Sequence, residues 1–447
     1  MRPNILSLFV SGLLAMALAG CQHEDGSGAV PASSGSVAIS KPEPAASTNI
    51  APSAGPSPAV GHSSPLTDAD WPHFRGSDGT GIARDIGINK AWGVKTPIIL
   101  WKAQLSDDGY AGPAVAGGKV YIVDHEGASD VVRCLDLRSG KDIWRFPYLD
   151  ARDDNSGFAR ATPTVDTGRV YTLSRLGALN CLDADTGLKV WSRNIITDFV
   201  GKRPRWDLAT SPVIDGDRLI VCPGGTNAAV AVLKKQTGEL IWKGAGSDVA
   251  GYATPVVAQL NGRKQYIFFN ASGLMGVEPD GGKVLWQLPW KTEYDVNAAT
   301  PLVIDDAVFI TSGYGTGCAM IDVTPTGARV RWKNKEIQSH FNTPIYSAGY
   351  IYGTSDPGDL VCLNAKTGTS TWRHPGFEKG GVAAADGALV ALSGSNGTLT
   401  LLKLAPEAYL ELGSTHPLSG QSWTAPVIGD GRLIVRNKQE MACLDIK

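Results

Sequence analysis

One motif is written repeatedly along this chain. A small residue, a proline and apolar residues recur as "AGPAV" at Pro113, "ATPTV" at Pro163, "TSPVI" at Pro212, "ATPVV" at Pro255, "ATPLV" at Pro301, "NTPIY" at Pro344 and "TAPVI" at Pro426. Between the last two, "GGVAAADGALVAL" keeps the pattern without the proline, which makes eight starts. After each start come a turn, a β-rich run such as "GKVYIV" or "GRLIVR", a short strand of the "LNCLD" type, a Gly turn and a strand ending at tryptophan. Proline and tryptophan stand about 28 to 31 residues apart, and the unit returns about every 45. Four short strands in each of eight such units predict an all-β fold, an eight-bladed β-propeller of four-stranded antiparallel blades.

The closing tryptophans say how the ring is joined. Six units end on Trp144, Trp191, Trp242, Trp286, Trp332 and Trp372; the seventh has Tyr409 or a near neighbour in that place, and the eighth stops at "CLDIK" before its fourth strand. A spare strand, "IILWKAQL" around Trp101, lies ahead of the first unit. Used as the outer strand of the last blade, it closes the ring and removes an open edge.

Within "CLDADTGLKVW", Asp183 can accept from backbone amides as an Asx turn, Thr186 does the same more weakly, and Gly187 takes the φ > 0 position. Asp136, Asp183 and Asn364 are therefore turn formers. The repeat tryptophans, each removing on the order of 200 Å² from water, are inter-blade packing and not substrate platforms.

Residues 1–20 read as an export signal: Arg2, then an apolar run Ile5 to Ala19 of about 15 residues, too short to span a bilayer comfortably. "LAGC", Leu18 to Cys21, resembles the bacterial lipobox, in which the cysteine takes a lipid; Ala17-Leu18-Ala19 equally satisfies the A-x-A rule for ordinary cleavage. Lipidation at Cys21 is the expectation, because the cysteine stands where a lipobox needs it and a disordered Ala/Pro/Ser/Gly-rich tether (residues 21–68) follows. Such a tether spans about 40 Å. Residues 69–95 are expected to pack on the propeller, which occupies 96–447.

A net charge of -2, with no basic stripe, gives no case for nucleic acid. Seven cysteines in an exported chain suggest disulfides, yet Cys134, Cys181, Cys362 and Cys443 fill the same small apolar position in successive repeats and read as core thiols. The seven histidines are scattered, and no P-loop, G-x-S-x-G or Rossmann fingerprint has its required context. "DARDDNSG", Asp150 to Gly157, is acidic but lacks the spacing of a calcium loop. With the basic "GKRPRWD", Gly201 to Asp207, it either pairs across adjacent blades or receives a partner protein.

At "CLDADTGLKVW" and its copies "CLDLRSGKDIW", "LKKQTGELIW" and "CLNAKTGTSTW" the chain resembles the quinoprotein-type (PQQ-like) propeller repeat. That repeat is shared by pyrroloquinoline quinone (PQQ) dehydrogenases and by non-catalytic BamB-like outer-membrane assembly lipoproteins. The resemblance covers about residues 96–447. For an enzyme it implies PQQ, a calcium ion held by carboxylates and an amide, a catalytic Asp and commonly adjacent cysteines; no adjacent cysteine pair exists here. The expectation is thus a lipid-anchored envelope protein, in the outer membrane facing the periplasm. It acts as a non-catalytic binding or assembly scaffold with an envelope protein partner and no cofactor. A PQQ- and calcium-dependent alcohol or aldose dehydrogenase is the alternative.

In a propeller the residues just ahead of each inner strand converge on one face. Here they are Tyr110, Arg160, Trp206 with Asp207, Tyr252, Asn297, His340 with Asn342, and Trp423. They form the candidate ligand or partner face; alternatively they simply plug the channel.

Overall fold

The computed structural model describes residues 66–84, 87–106, 108–151 and 157–447. Cys21, the signal and most of the tether lie outside them. Eight sheets stand around a central channel. Blade 1 is Ala114–Ala116, Lys119–Glu126, Ser129–Asp136 and Asp142–Leu149, in order from the channel outward. Blades 2 to 8 begin with the inner strands Thr164–Asp166, Val213–Asp215, Val256–Leu260, Leu302–Ile304, Ile345–Ser347, Val382–Ala385 and Val427–Gly429. In seven of these blades each motif proline stands immediately before its inner strand, where its missing N–H costs the ladder nothing. Blade 8 takes its outer strand from Ile99–Gln104, paired antiparallel with Glu440–Asp445 so that Trp101 faces Cys443. The ring therefore closes as the spare strand predicts.

The residue ahead of each proline has a bonding role that the sequence pattern alone does not reveal. The amide of Thr162 donates to Ser211 Oγ at 2.9 Å, that of Ser211 to Thr254 Oγ1 at 3.1 Å, that of Thr254 to Thr300 Oγ1 at 3.1 Å and that of Thr300 to Thr343 Oγ1 at 2.8 Å. A hoop of hydroxyls thus ties blades 2 to 6 together and satisfies amides that no strand reaches.

The repeat tryptophans latch each blade to the next. Nε1 of Trp101, Trp144, Trp191, Trp242, Trp332 and Trp372 donates to a main-chain carbonyl of the following blade, at Leu137, Ala184, Lys235, Pro279, Ala365 and Ala405, over 2.7–3.1 Å. The rings of Trp101, Trp144, Trp191, Trp242 and Trp332 land on a turn glycine of that blade, at Gly140, Gly187, Gly238, Gly282 and Gly368, whereas Trp372 meets Tyr409 instead. At Gly187 (φ 71°) a β-carbon would come within 2.6 Å of Trp144, so the position needs glycine for space as well as for φ. The turn itself is as expected, with Asp183 Oδ1 accepting from the amides of Asp185 and Thr186.

Trp286 departs from this pattern. Blade 5 joins its last two strands through Thr324 and Gly327 directly, without an Asx turn to land on. The indole instead lies over Gly276, its cross-strand partner, and donates to Gln265 Oε1 of its own blade at 2.7 Å. A side chain at Gly276 would occupy the ring's space. Gly276→Val is therefore expected to cost about 1–3 kcal/mol, read as a lower urea midpoint; an unchanged midpoint would show that the ring relocates freely.

The seventh blade also corrects an expectation. The position that pairs like a repeat tryptophan is Gly413, opposite Leu401, and not Tyr409. Tyr409 precedes the strand and packs edge-on against Trp372, with ring centroids 5.8 Å apart. Gly413 leaves room for Trp92 of the N-terminal extension, 1% exposed, whose neighbour Gly93 donates its amide to Leu412 O at 3.0 Å. The chain start supplies an indole that the repeat lacks.

All six described cysteines are free and buried. Cys134, Cys181, Cys362 and Cys443 stand opposite Trp144, Trp191, Trp372 and Trp101. Burial pushes the thiols of Cys134, Cys181, Cys222, Cys318 and Cys443 up to about 12 and raises that of Cys362. Native protein at about pH 8 should leave these six unalkylated by iodoacetamide, and denaturant should expose all of them. Mass spectrometry of the peptides decides, and fast native labelling of any one would contradict its burial.

Candidate functional site

Residues 69–83 run through the channel and divide it. Ala69 O accepts from Asp430 in blade 8, and Trp71 exchanges two backbone bonds of 2.8 Å with Val115 in blade 1. Pro72 O accepts from Val165 in blade 2, and Ile82–Ala83 pairs parallel with Val382–Ala385 in blade 7. Arg75 fixes the turn between these contacts. Its guanidinium, buried, donates to the carbonyls of Thr343 (2.8 Å) and Pro344 (2.7 Å) in blade 6 and to Gly79 (3.1 Å) and Thr80 (2.5 Å) of its own segment. Burial lowers its pKa, partly offset by Asp78.

Below this plug, at the far ends of the inner strands, lies a cavity of about 1030 Å³ reaching Asp166, Gly216, Gln259 and Val303. Leu66, the first described residue, lines it. Above the plug, where the inner strands begin, lies a cup of about 540 Å³ floored by Trp71 and Phe74. A volume of this order is that of a small-molecule or side-chain pocket.

The structure brings Tyr110, Arg160, Trp206, Tyr252, His340, Asn342 and Trp423 to this cup. Their rings form a continuous chain around its mouth. Tyr110 stacks on Trp423 at 5.6 Å and 16°, Trp423 meets Phe341 at 5.5 Å, and Phe341 meets His340 at 5.3 Å. Beyond these, His340 meets Tyr314 at 4.6 Å, Tyr314 meets Tyr294 at 5.8 Å, Tyr294 meets Trp206 at 5.8 Å, and Trp206 meets Tyr252 at 6.2 Å. Polar bonds hold the chain in place: Asn342 Nδ2 donates to the carbonyls of Lys379 and Trp423, and the Trp206 amide donates to Tyr252 Oη. Burial raises the phenols of Tyr252 and Tyr314.

Two expected face residues are not on it. Asp207 is buried beneath Trp206 and pairs with Arg203 at 2.6 Å. Asn297 is fully buried; its amide donates to the carbonyls of Asn270 and Trp290 and accepts from Ser312 Oγ. Both are framework because the loops ahead of blades 3 and 5 fold these polar groups inward, Asp207 onto the Arg203 guanidinium and Asn297 onto main-chain carbonyls. Sequence reasoning passed over Phe341, Tyr314 and Tyr294. Tyr314 lies in "SGYGTG", the connection between the second and third strands of blade 5, which opens on the same face as the blade-to-blade loops. The two charged loops do not pair with each other among the described residues: Asp150 accepts a two-pronged bond from buried Arg175, and Arg203 is taken by Asp207.

A quinone with its calcium ion needs several oxygen donors converging on one point. Among the described residues no three His, Cys, Asp or Glu side chains converge as a metal site. The residues lining the cup include no carboxylate; Asp356, 3.4 Å from His340 Nδ1, stands outside that lining. The carboxylate cradle implied by the dehydrogenase resemblance does not fit the groups present.

Comparisons with known proteins agree with the fold. Quinoprotein ethanol dehydrogenase of Pseudomonas aeruginosa is 22% identical over 287 residues, 60% of this chain and 45% of that protein. Outer membrane protein assembly factor BamB of Yersinia pestis is 24% identical over 284 residues, 58% of this chain and 65% of that protein. The chain thus matches about half to two thirds of the length of these relatives. The crystal structure of BamB from Moraxella catarrhalis superposes with a TM-score of 0.59 at 19% identity, covering 78% of this chain and 99% of that one. Quinohemoprotein alcohol dehydrogenase from Comamonas testosteroni gives 0.63 at 14%, covering 85% and 80%. The family described as outer membrane protein assembly factor BamB (PQQ_2) matches residues 128–374, more than half of the chain, and the chain belongs to that family.

Proposed function

We propose that this protein is a lipid-anchored propeller of the bacterial envelope that works as a non-catalytic binding or assembly module, with the aromatic cup as its partner face. The observation that carries this reading is the cup itself: a mouth ringed by eight aromatic side chains above a lining that, among the described residues, has no carboxylate. Such a surface binds by burying rings, and it offers no set of oxygens for a catalytic cation. Anchoring through Cys21, the outer membrane and an envelope protein partner extend the family's description to this chain. Palmitate labelling abolished by Cys21→Ala tests the anchor.

The second reading, a PQQ-dependent dehydrogenase, is favoured by the similarity to quinoprotein alcohol dehydrogenases. Calorimetric titration of PQQ with calcium into the full chain in detergent separates the two. No heat and no thermal shift are expected. Micromolar binding at one site followed by dye reduction with an alcohol or aldose would replace the binding module with the enzyme.

A further inference from the structure

Resting on the binding-module reading, we propose that the mouth of the cup docks an extended acidic peptide, with Arg205 as the fork that takes one of its carboxylates.

Arg205 is exposed, and its guanidinium lies over two rings at once, 5.1 Å from the Trp206 centroid and 4.9 Å from that of Tyr294. Among the described residues no carboxylate stands within ion-pairing distance of it. A guanidinium stacked in this way has little freedom left to lose, while its in-plane N–H edge stays open for a two-pronged carboxylate bond. Across the mouth, Lys379 Nζ lies 5.0 Å over Trp423, and Lys438 Nζ lies 5.9 Å over Tyr110 with Asp108 at 3.7 Å. Cations thus stand on both sides of an opening whose described lining residues include no carboxylate.

An aromatic cage of this kind can attract a ligand cation. Here four of the eight rings, Trp206, Tyr294, Trp423 and Tyr110, already carry the chain's own cations, so at these faces a second cation meets like charge and an anion meets a partner, while Asp356 and Glu293 lie toward Tyr314 between them. The ligand is longer than the cup, because the ring chain continues past it to Tyr294, which is 46% exposed and lies outside the lining. Tyr294 and Asp295 hold φ of 61° and 59°, and Tyr314 holds 53°. Consecutive non-glycine residues in the left-handed region are costly, and here they hold the exposed Tyr294 ring at the mouth between Trp206 and Tyr314. A ligand with carboxylates spaced along an extended backbone and an apolar side chain between them meets Arg205, the cup and Lys379 together. Trp, Tyr and Arg are also the side chains that most often anchor protein partners.

The test uses the full chain in detergent and the quenching of its tryptophan fluorescence. Three probes are compared: an acetylated, amidated pentapeptide of four glutamates around a central phenylalanine, its counterpart with four lysines, and free tricarballylate. Saturable binding of the glutamate peptide is expected, weakened about tenfold by Arg205→Gln and by about as much on raising salt from about 50 to about 300 mM. Arg205→Lys should recover only part of the loss. Equal binding of the lysine peptide, tricarballylate binding as tightly as the peptide, no peptide binding, or an Arg205→Gln effect below twofold would each overturn the proposal. A failed peptide with no PQQ binding removes this inference alone, whereas PQQ binding removes the binding-module reading beneath it.

Discussion

Truncating Trp101 to alanine is expected to lower the unfolding free energy by about 3–5 kcal/mol, more than the same change at the partly buried latches Trp191, Trp242, Trp332 and Trp372. Its ring is 8% exposed, covers Gly140 of blade 1 and donates to Leu137 O at 2.8 Å. Removing it leaves a cavity between blades 8 and 1, a carbonyl without its donor, and an N-terminal strand held by its ladder alone. Trp332 makes the same latch at 3.1 Å but is only partly buried, so Trp332→Ala should cost visibly less. Urea midpoints of the two variants decide the matter. Equal losses would mean that the closing blade is no more dependent on its indole than any other.

Arg75→Met is expected to cost about 3–5 kcal/mol. The loss should be local, because the side chain joins the channel segment to blade 6 and not blade to blade. Four carbonyls lose their donor, and methionine returns only the packing of the stem. Hydrogen exchange at Ile82 and Val115 should rise well before that of the blade cores, and limited proteolysis should begin within residues 66–95. Arg75→Lys keeps the charge but cannot reach four oxygens in two directions, so it should fall between the two. Simultaneous loss of blade and segment protection would show that the plug and the ring unfold as one.

The period of the repeat made the blades legible, since every Pro-bounded start and every "CLD"-type strand repeats a unit that must stack to bury its faces. The spare strand at Trp101 made the closure legible as well. Trp286 and Trp92 were harder to read, because each depends on a space in another strand: Gly276 makes room for one and Gly413 for the other. The cup was half legible. Position along the repeat located Tyr110, Trp206, Tyr252, His340 and Trp423, but it cannot tell a side chain aimed at the mouth from one folded under it. Asp207 and Asn297 therefore looked like face residues while serving as framework. The channel segment gave no periodic signal, and its course rests on a few bonds to each of five different blades.

The pairing of Trp101 with Cys443 also sets an order of events for a newly made chain. The strand Ile99–Gln104 has its sheet partner roughly 340 residues later, so seven blades can assemble while the eighth waits. Closing so long a loop costs about 3 kcal/mol more entropy than closing one of ten residues. A chain lacking Glu440–Asp445 therefore carries an unpaired strand whose Trp101 and Ala103, buried in the closed ring, stand in water. Such an intermediate is a natural client for a holdase and a natural substrate for a protease. The arrival of Glu440–Asp445 is what closes the ring.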